Sequence, residues 1–229
     1  MTDIKTLAQQ KAPTTPELAG TKTRILDAAS RLFAEKGFSN VGIREISQAA
    51  GVHLAAVNYH FQSKENLWDE ALRHSFAYTS ALTENTYIAL ENAKKAGTVE
   101  AAELALKEFI ERILHEFLQS DWDSGAMLLW ELMGDGRGLD SIVEQYLLPP
   151  RVVLREVLRL LMPKAREVTL DLWAGSIVGQ CVFARQGLPV TKILMKWNSR
   201  EEYVRGLTRQ VTEFCLSAVR QYRAQRGSA

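Results

Sequence analysis

The sequence predicts an all-α protein, and three observations carry that prediction. Every periodic apolar segment repeats at spacings of three and four, the period of a helix, and none alternates as a strand does. Glycines stand just past two such segments, at Gly37 and Gly51, where a left-handed residue can end a helix and turn the chain. Between Gly37 and Leu67 two short helices, Ile43 to Ala50 and Leu54 to His60, flank the Gly51 turn. The expected layout is a flexible tail over 1–20, a three-helix helix-turn-helix domain over 21–75, and a larger helical effector-binding and dimerisation domain over 76–229.

Residues 1–20 contain Pro13, Pro16 and Gly20 among polar residues and show no sustained period, so mobility is expected. Lys5 and Lys11 could touch phosphates there, though a solvated tail is the better reading. Thr21 to Lys36 is amphipathic, with Ile25, Ala28, Ala29, Leu32 and Phe33 on one stripe. That stripe is expected to pack on Ile46, Val57 and Phe61 and so fix the angle of the second short helix. Ser63 is placed to cap a further helix, with Glu65 in its first turn near the positive end of the dipole. Leu67, Ala71 and Trp68 should tie that helix to the core.

Beyond Phe76 the helical pattern continues. Val99 to Leu118 carries Leu106, Phe109, Ile110, Ile113, Leu114 and Phe117, and Ala126 to Met133 is short and strongly apolar. Gly134 to Gly138 reads as a turn, because it lacks the Lys-Ser/Thr and the preceding strand of a phosphate loop. Leu139 to Leu161 should be helical on both sides of Pro149 and Pro150, which kink or divide it. Glu167 to Gln186 is apolar nearly all round and is expected to be buried on several faces. Ser199 and Glu202 form a capping box for the last helix. The two final long helices carry more apolar surface than a monomer needs, which suggests a homodimer built on a four-helix bundle.

Two short helices with a glycine turn are sized to place the second helix in the major groove of duplex DNA. Ala55 and Ala56 let that helix approach base edges, and Asn58, Tyr59 and His60 can reach bases and phosphates. The competing reading is a helical hairpin inside an ordinary all-α domain. Charge does not decide between them, because 28 Lys and Arg against 27 Asp and Glu leave a net charge of +1. Local placement argues instead: Arg44 precedes the turn, and Lys64 sits at the free amide groups of a helix start, a natural phosphate clamp.

The segment G-V-H-L-A-A-V-N-Y-H-F-Q-S-K-E-N-L, preceded by A-A-S-R-L-F-A-E-K-G-F, resembles the DNA-binding domain of TetR-type bacterial transcriptional regulators over roughly residues 21–75. Ser176 to Val190, S-I-V-G-Q-C-V-F-A-R-Q-G-L-P-V, is similar to the C-terminal domain of the CerR-like branch. The resemblance implies a sequence-specific DNA-binding regulator, a repressor released from a palindromic operator by a small-molecule effector. It also implies a homodimer. DNA contacts carried over residue by residue fall on Arg44, His53, Leu54, Ala55, Ala56, Asn58, Tyr59, His60 and Lys64. Arg44 suits a bidentate guanine contact, Asn58 an adenine or phosphate, and Tyr59, His60 and Lys64 the backbone. Relatives often carry Ser or Thr at Gly42 and His53, an aromatic at Asn58, and a polar residue at Leu54. These departures bear on the operator sequence and leave the fold intact.

In the larger domain Trp130, Met133, Tyr146, Trp173, Gln180 and Phe183 are candidates to line an apolar effector pocket with a few polar anchors. The alternative is an effector-independent DNA-binding adaptor or architectural protein, which a fully packed larger domain would favour. An enzyme is far less favoured, since His53, His60, His74 and His115 pair with no nucleophile. Cys181 and Cys215 form no metal pattern and read as buried apolar packing, and no cofactor is expected. With no signal sequence and no membrane span in the pattern, the expected location is the cytoplasm.

Overall fold

A computed structural model describes residues 16–119, 123–133, 139–196 and 199–227, and these are helices joined by short turns with no strand among them. In order they are α1 (Pro16–Lys36), α2 (Ile43–Ala49), α3 (Leu54–Phe61), α4 (Lys64–Ser75), α5 (Tyr78–Ala96), α6 (Val99–Gln119), α7 (Asp123–Met133), α8 (Leu139–Ile142) running into a π-helical turn (Val143–Leu147), α9 (Leu148–Leu161), α10 (Glu167–Gln186), α11 (Leu188–Met195) and α12 (Arg200–Gly227). The expected Gly134 to Gly138 turn and most of the expected tail lie outside the described residues. Helix α1 begins at Pro16, earlier than the expected Thr21; proline at a helix start loses no bond, because its missing N–H would have had no partner there.

Among the described residues the chain forms two compact units, 16–79 with 123–147 and 80–119 with 148–227. The first of these joins 123–147, from within the expected 76–229 domain, to 16–79. Met127 and Ile142 are buried in the same apolar cluster as Ile25, Phe33, Leu67 and Phe76, so α7 and α8 complete the core of the helix-turn-helix unit. The division at Pro149 and Pro150 is observed. Neither residue can donate to the carbonyl four positions earlier, at Gln145 and Tyr146, and the turn holding those carbonyls is the π-helical one.

In the first unit the α1 stripe meets its expected partners: Ile25, Ala28, Ala29 and Phe33 share one buried cluster with Ile46, Val57 and Phe61. Three orphan carbonyls at the end of α1 find separate donors. The Gly37 N–H reaches the Phe33 oxygen at 2.8 Å, with Gly37 at φ +75°. The Asn40 amide donates to Lys36 O at 2.9 Å. The Trp130 indole N–H, brought in by α7, donates to Ala34 O at 3.1 Å.

In the second unit α6 buries Leu106, Phe109, Ile110, Leu114 and Phe117, and α9 buries Val153, Leu154, Val157, Leu158 and Leu161. Arg151, Arg155 and Arg159 line one face of α9 and meet Glu167 and Asp171 of α10. The Arg159 fork on both Glu167 oxygens, at 2.6 and 2.8 Å, holds that carboxyl down at about 2. Helix α10 departs from expectation. Leu170, Ala174, Ile177 and Cys181 are buried, but Leu172 and Phe183 are 67% and 73% exposed. Cys181 and Cys215 are free and buried, and desolvation pushes both thiols up, Cys215 to about 11, so neither reacts as a thiolate near neutral pH. No helix among the described residues is long and apolar enough to cross a membrane.

Candidate nucleic-acid interface

The turn between α2 and α3 is built by its hydrogen bonds. The Val52 N–H reaches back to Ser47 O at 3.0 Å and the Gly51 N–H to Gln48 O at 3.1 Å, with Gly51 at φ +64°. This is the paired closure that a left-handed residue makes possible after a helix. It leaves α3 with Val57 and Phe61 buried and its other face in solvent. On that face His53, Leu54, Ala55 and Asn58 are exposed, Ala56 and His60 are half-buried, and Tyr59 is 74% exposed. The His60 ring stands edge-on to Tyr59 at 5.3 Å between centroids, which orders the end of the helix.

Arg44 is exposed on α2, beside Glu45. Lys36 donates to Glu45 at 2.6 Å, and that bond lowers the Glu45 carboxyl pKa and raises the Lys36 ammonium pKa. The neighbouring negative charge is therefore already paired. Ser63 caps α4 as expected, its hydroxyl accepting from the Asn66 N–H at 3.1 Å. Lys64 begins α4 with its ammonium 4.4 Å above the Phe38 ring. Phe38 stacks edge-on against Trp68 at 5.6 Å, and Trp68 against Phe33 at 4.9 Å, so the lysine rests on a column rooted in the core. The Trp68 indole donates to the buried Glu131 carboxylate at 2.7 Å, which locks that column to α7.

Sequence reasoning missed both the seat under Lys64 and one backbone feature. Gln62, between α3 and α4, has φ +64° and ψ −42°, and the Ser63 N–H bonds Phe61 O across it at 2.7 Å. This is a tight γ-turn of the strained sign, held where the reading helix must stop abruptly. No residue type announces it, since Gln is not a left-handed former.

The six residues expected to line an effector pocket fall three and three: Trp130, Met133 and Tyr146 in the first unit, Trp173, Gln180 and Phe183 in the second. Trp130 covers Gly37, Tyr146 stacks on Phe76 at 5.6 Å, and Met133 is 69% exposed. Trp173 stands edge-on to Tyr222, Gln180 is near enough to Cys215 to oppose the rise of its thiol pKa, and Phe183 faces outward. Packing within each unit therefore uses Trp130, Tyr146, Trp173 and Gln180. A groove of about 670 Å³ does occur in the second unit, between α6 and α12.

Residues 25–71 match the tetR family of bacterial regulatory proteins, and residues 102–219, more than half of the 229, match the C-terminal domain of the HTH-type transcriptional dual regulator CecR. The chain belongs to the TetR family. The branch expected as CerR-like is that of CecR. Among TetR-family relatives, the HTH-type transcriptional repressor KstR2 of Rhodococcus jostii is 44% identical over 55 residues, 24% of this chain and 27% of that protein. The negative regulator of the biofilm operon icaADBC in Staphylococcus aureus, IcaR, is 28% identical over 102 residues, 43% of this chain and 52% of that one. The chain thus spans about half the length, or less, of these curated relatives. The structure of FadR from Bacillus subtilis in complex with stearoyl-CoA shares the fold at 18% identity and a TM-score of 0.59, covering 85% of this chain and 97% of that one.

Proposed function

We propose that this TetR-family protein is a sequence-specific DNA-binding transcriptional regulator, acting as a cytoplasmic repressor released from a palindromic operator by a small-molecule effector. One observation carries the reading: α3 presents Asn58 and a largely exposed Tyr59 on a face flanked by Arg44, while its opposite face is fixed in a core that includes Phe33. Rigid support of this kind lets a few side chains read base edges without the helix yielding. Arg44 contacts guanine, Asn58 an adenine or phosphate, and Tyr59, His60 and Lys64 the backbone, with His53, Leu54, Ala55 and Ala56 against the groove wall.

The active species is a homodimer joined through α10 and α12. Leu172, Phe183 and Phe214 stand exposed on these helices, and Gly175, Ser176 and Gly179 between the first two allow close helix approach. The groove between α6 and α12 favours an effector-responsive regulator over an adaptor whose larger domain is fully packed. That KstR2 is a repressor and IcaR a negative regulator supports the regulatory sign, and the stearoyl-CoA complex of the FadR neighbour supports a ligand-responsive body. Like these relatives, the protein acts by binding rather than by catalysis.

Selection of bound fragments from the source genome, followed by mobility shifts at several salt concentrations, tests the proposal. Arg44→Ala is expected to cost about 1 to 3 kcal/mol of operator affinity and to relax preference at one base pair. Lys64→Ala weakens all sequences alike and lowers the salt slope by about one. Unchanged operator binding by Arg44→Ala would remove the guanine assignment, and no salt-sensitive preference for any duplex would remove the function.

A further inference from the structure

The groove between α6 and α12 has features that helix packing alone does not require. At its floor Thr212 is 4% exposed, and its hydroxyl has no hydrogen-bond partner. A buried hydroxyl normally finds a partner, so the unpaired hydroxyl of a residue that lines the groove marks a place where a polar atom is missing. Val204, about two turns before Thr212 along α12, and Leu216, about one turn after it, give the floor an apolar character. The rim carries Lys107 and Glu111 from α6 and Arg209 and Glu213 from α12, each pair at 3.8 Å, too long for a hydrogen bond. Their cations therefore keep donors free. Arg205 also lines the groove but is paired with Glu201 at 3.2 Å, and the exposed His115 closes the α6 side.

From this arrangement we infer that the groove is a binding site for a small amphiphilic monocarboxylate. The carboxylate accepts from the Thr212 hydroxyl and from Lys107 or Arg209, and the hydrocarbon body lies along Val204 and Leu216. A single negative charge fits, because Lys107 and Arg209 keep donors for one carboxylate, and Glu111 and Glu213 would repel a dianion such as phosphate. The volume suits a ligand of drug size or smaller. Thr212 and Phe214 are two residues apart on a helix, about 200° around its axis, so the groove backs onto the face through which we propose that α12 meets a second copy. A ligand there shifts α12 without touching the partner. The inference rests on the regulatory reading only for that consequence; binding itself is a property of the free protein.

The test uses full-length protein and sodium octanoate, with octanol and octylamine as the neutral and cationic matches, followed by calorimetry and by histidine ring NMR. His115 is assigned through His115→Gln. Octanoate is expected to bind at least about tenfold more tightly than octanol or octylamine and to move the His115 signal while leaving His53 and His60 unmoved. Thr212→Val, which removes the orphan hydroxyl without changing side-chain shape, is expected to weaken octanoate about tenfold while leaving the melting temperature unchanged or higher. Arg209→Gln weakens binding and flattens its salt dependence. Equal binding of octanol, an unmoved His115, full affinity in Thr212→Val, or loss of the dimer on adding octanoate would each overturn the site. Octanoate binding in this groove with no effect on operator affinity would leave the site standing and count instead against effector release.

Discussion

The two units treat their large apolar side chains in opposite ways. In the first unit, Phe33, Phe61, Phe76 and Trp68 are at most 6% exposed, held together by α1, α4 and the inserted α7. In the second, Leu172, Phe183, Ile193, Leu194 and Phe214 are between 57% and 75% exposed. Large apolar side chains exposed in that number suit contact with another surface. The first unit has closed its own core around these rings, whereas the second leaves these large apolar side chains in solvent, where the dimer proposed above would cover those of α10 and α12.

The largest expected effect tests the closed half of that contrast. Phe33→Ala removes a fully buried ring at the centre of the first unit and should cost about 3 to 5 kcal/mol in urea unfolding, with DNA binding lost through unfolding. The open half should respond differently. Phe183→Asp with Phe214→Asp leaves the melting of the isolated chain nearly unchanged, because both rings are already in solvent. It should nevertheless raise the dimer dissociation constant by about a hundredfold or more, through two charges per chain placed in an apolar contact. Analytical ultracentrifugation reads this directly; an undiminished dimer would mean that α10 and α12 are not the interface. A smaller effect is expected at Gly37. An alanine there must adopt φ +75° and bring its Cβ to 3.0 Å from the Trp130 ring, for a combined cost of about 2 kcal/mol. Combining Gly37→Ala with Trp130→Ala removes the steric part, so the double mutant should be less destabilised than the sum of the two singles.

These contrasts also mark what could be read before the structure. The helix-turn-helix was legible because its determinants are local: the α1 stripe, the left-handed Gly51, the Ser63 cap and the small residues at the start of α3 all act within a few positions. The insertion of α7 into that unit was not legible. Trp130 and Ala34 are 96 positions apart, and an apolar helix with a tryptophan serves a pocket as well as a neighbouring core. That ambiguity is why Trp130, Met133 and Tyr146 read as pocket residues, although Trp130 and Tyr146 pack in the first unit. The period of α10 was equally silent about its surroundings. Apolar residues all round predict burial, but not whether the cover is the same chain or another one. Gln62 gave no sign at all, since its strained backbone follows from how α3 and α4 must join.

The smallest predicted effect isolates how α7 is held. Trp130 supports α1 in two ways, by covering Gly37 with its ring and by giving its indole N–H to Ala34 O, a carbonyl that the end of α1 leaves without a helical partner. Trp130→Phe keeps an aromatic ring of similar breadth over the glycine and removes only the donor. The expected loss is about 1 kcal/mol in urea unfolding, the typical net worth of one intramolecular hydrogen bond. Because Trp130 is 37% exposed, water can reach the freed carbonyl, which holds the loss to that size rather than that of a buried orphan. Amide exchange then separates the two roles. If the bond fixes the last turn of α1, protection at Gly37 falls in Trp130→Phe while protection within α3 is unchanged. Loss of protection along α3 as well would show that the indole bond, and not only the packing of Phe33 and Phe61, sets the attitude of the reading helix.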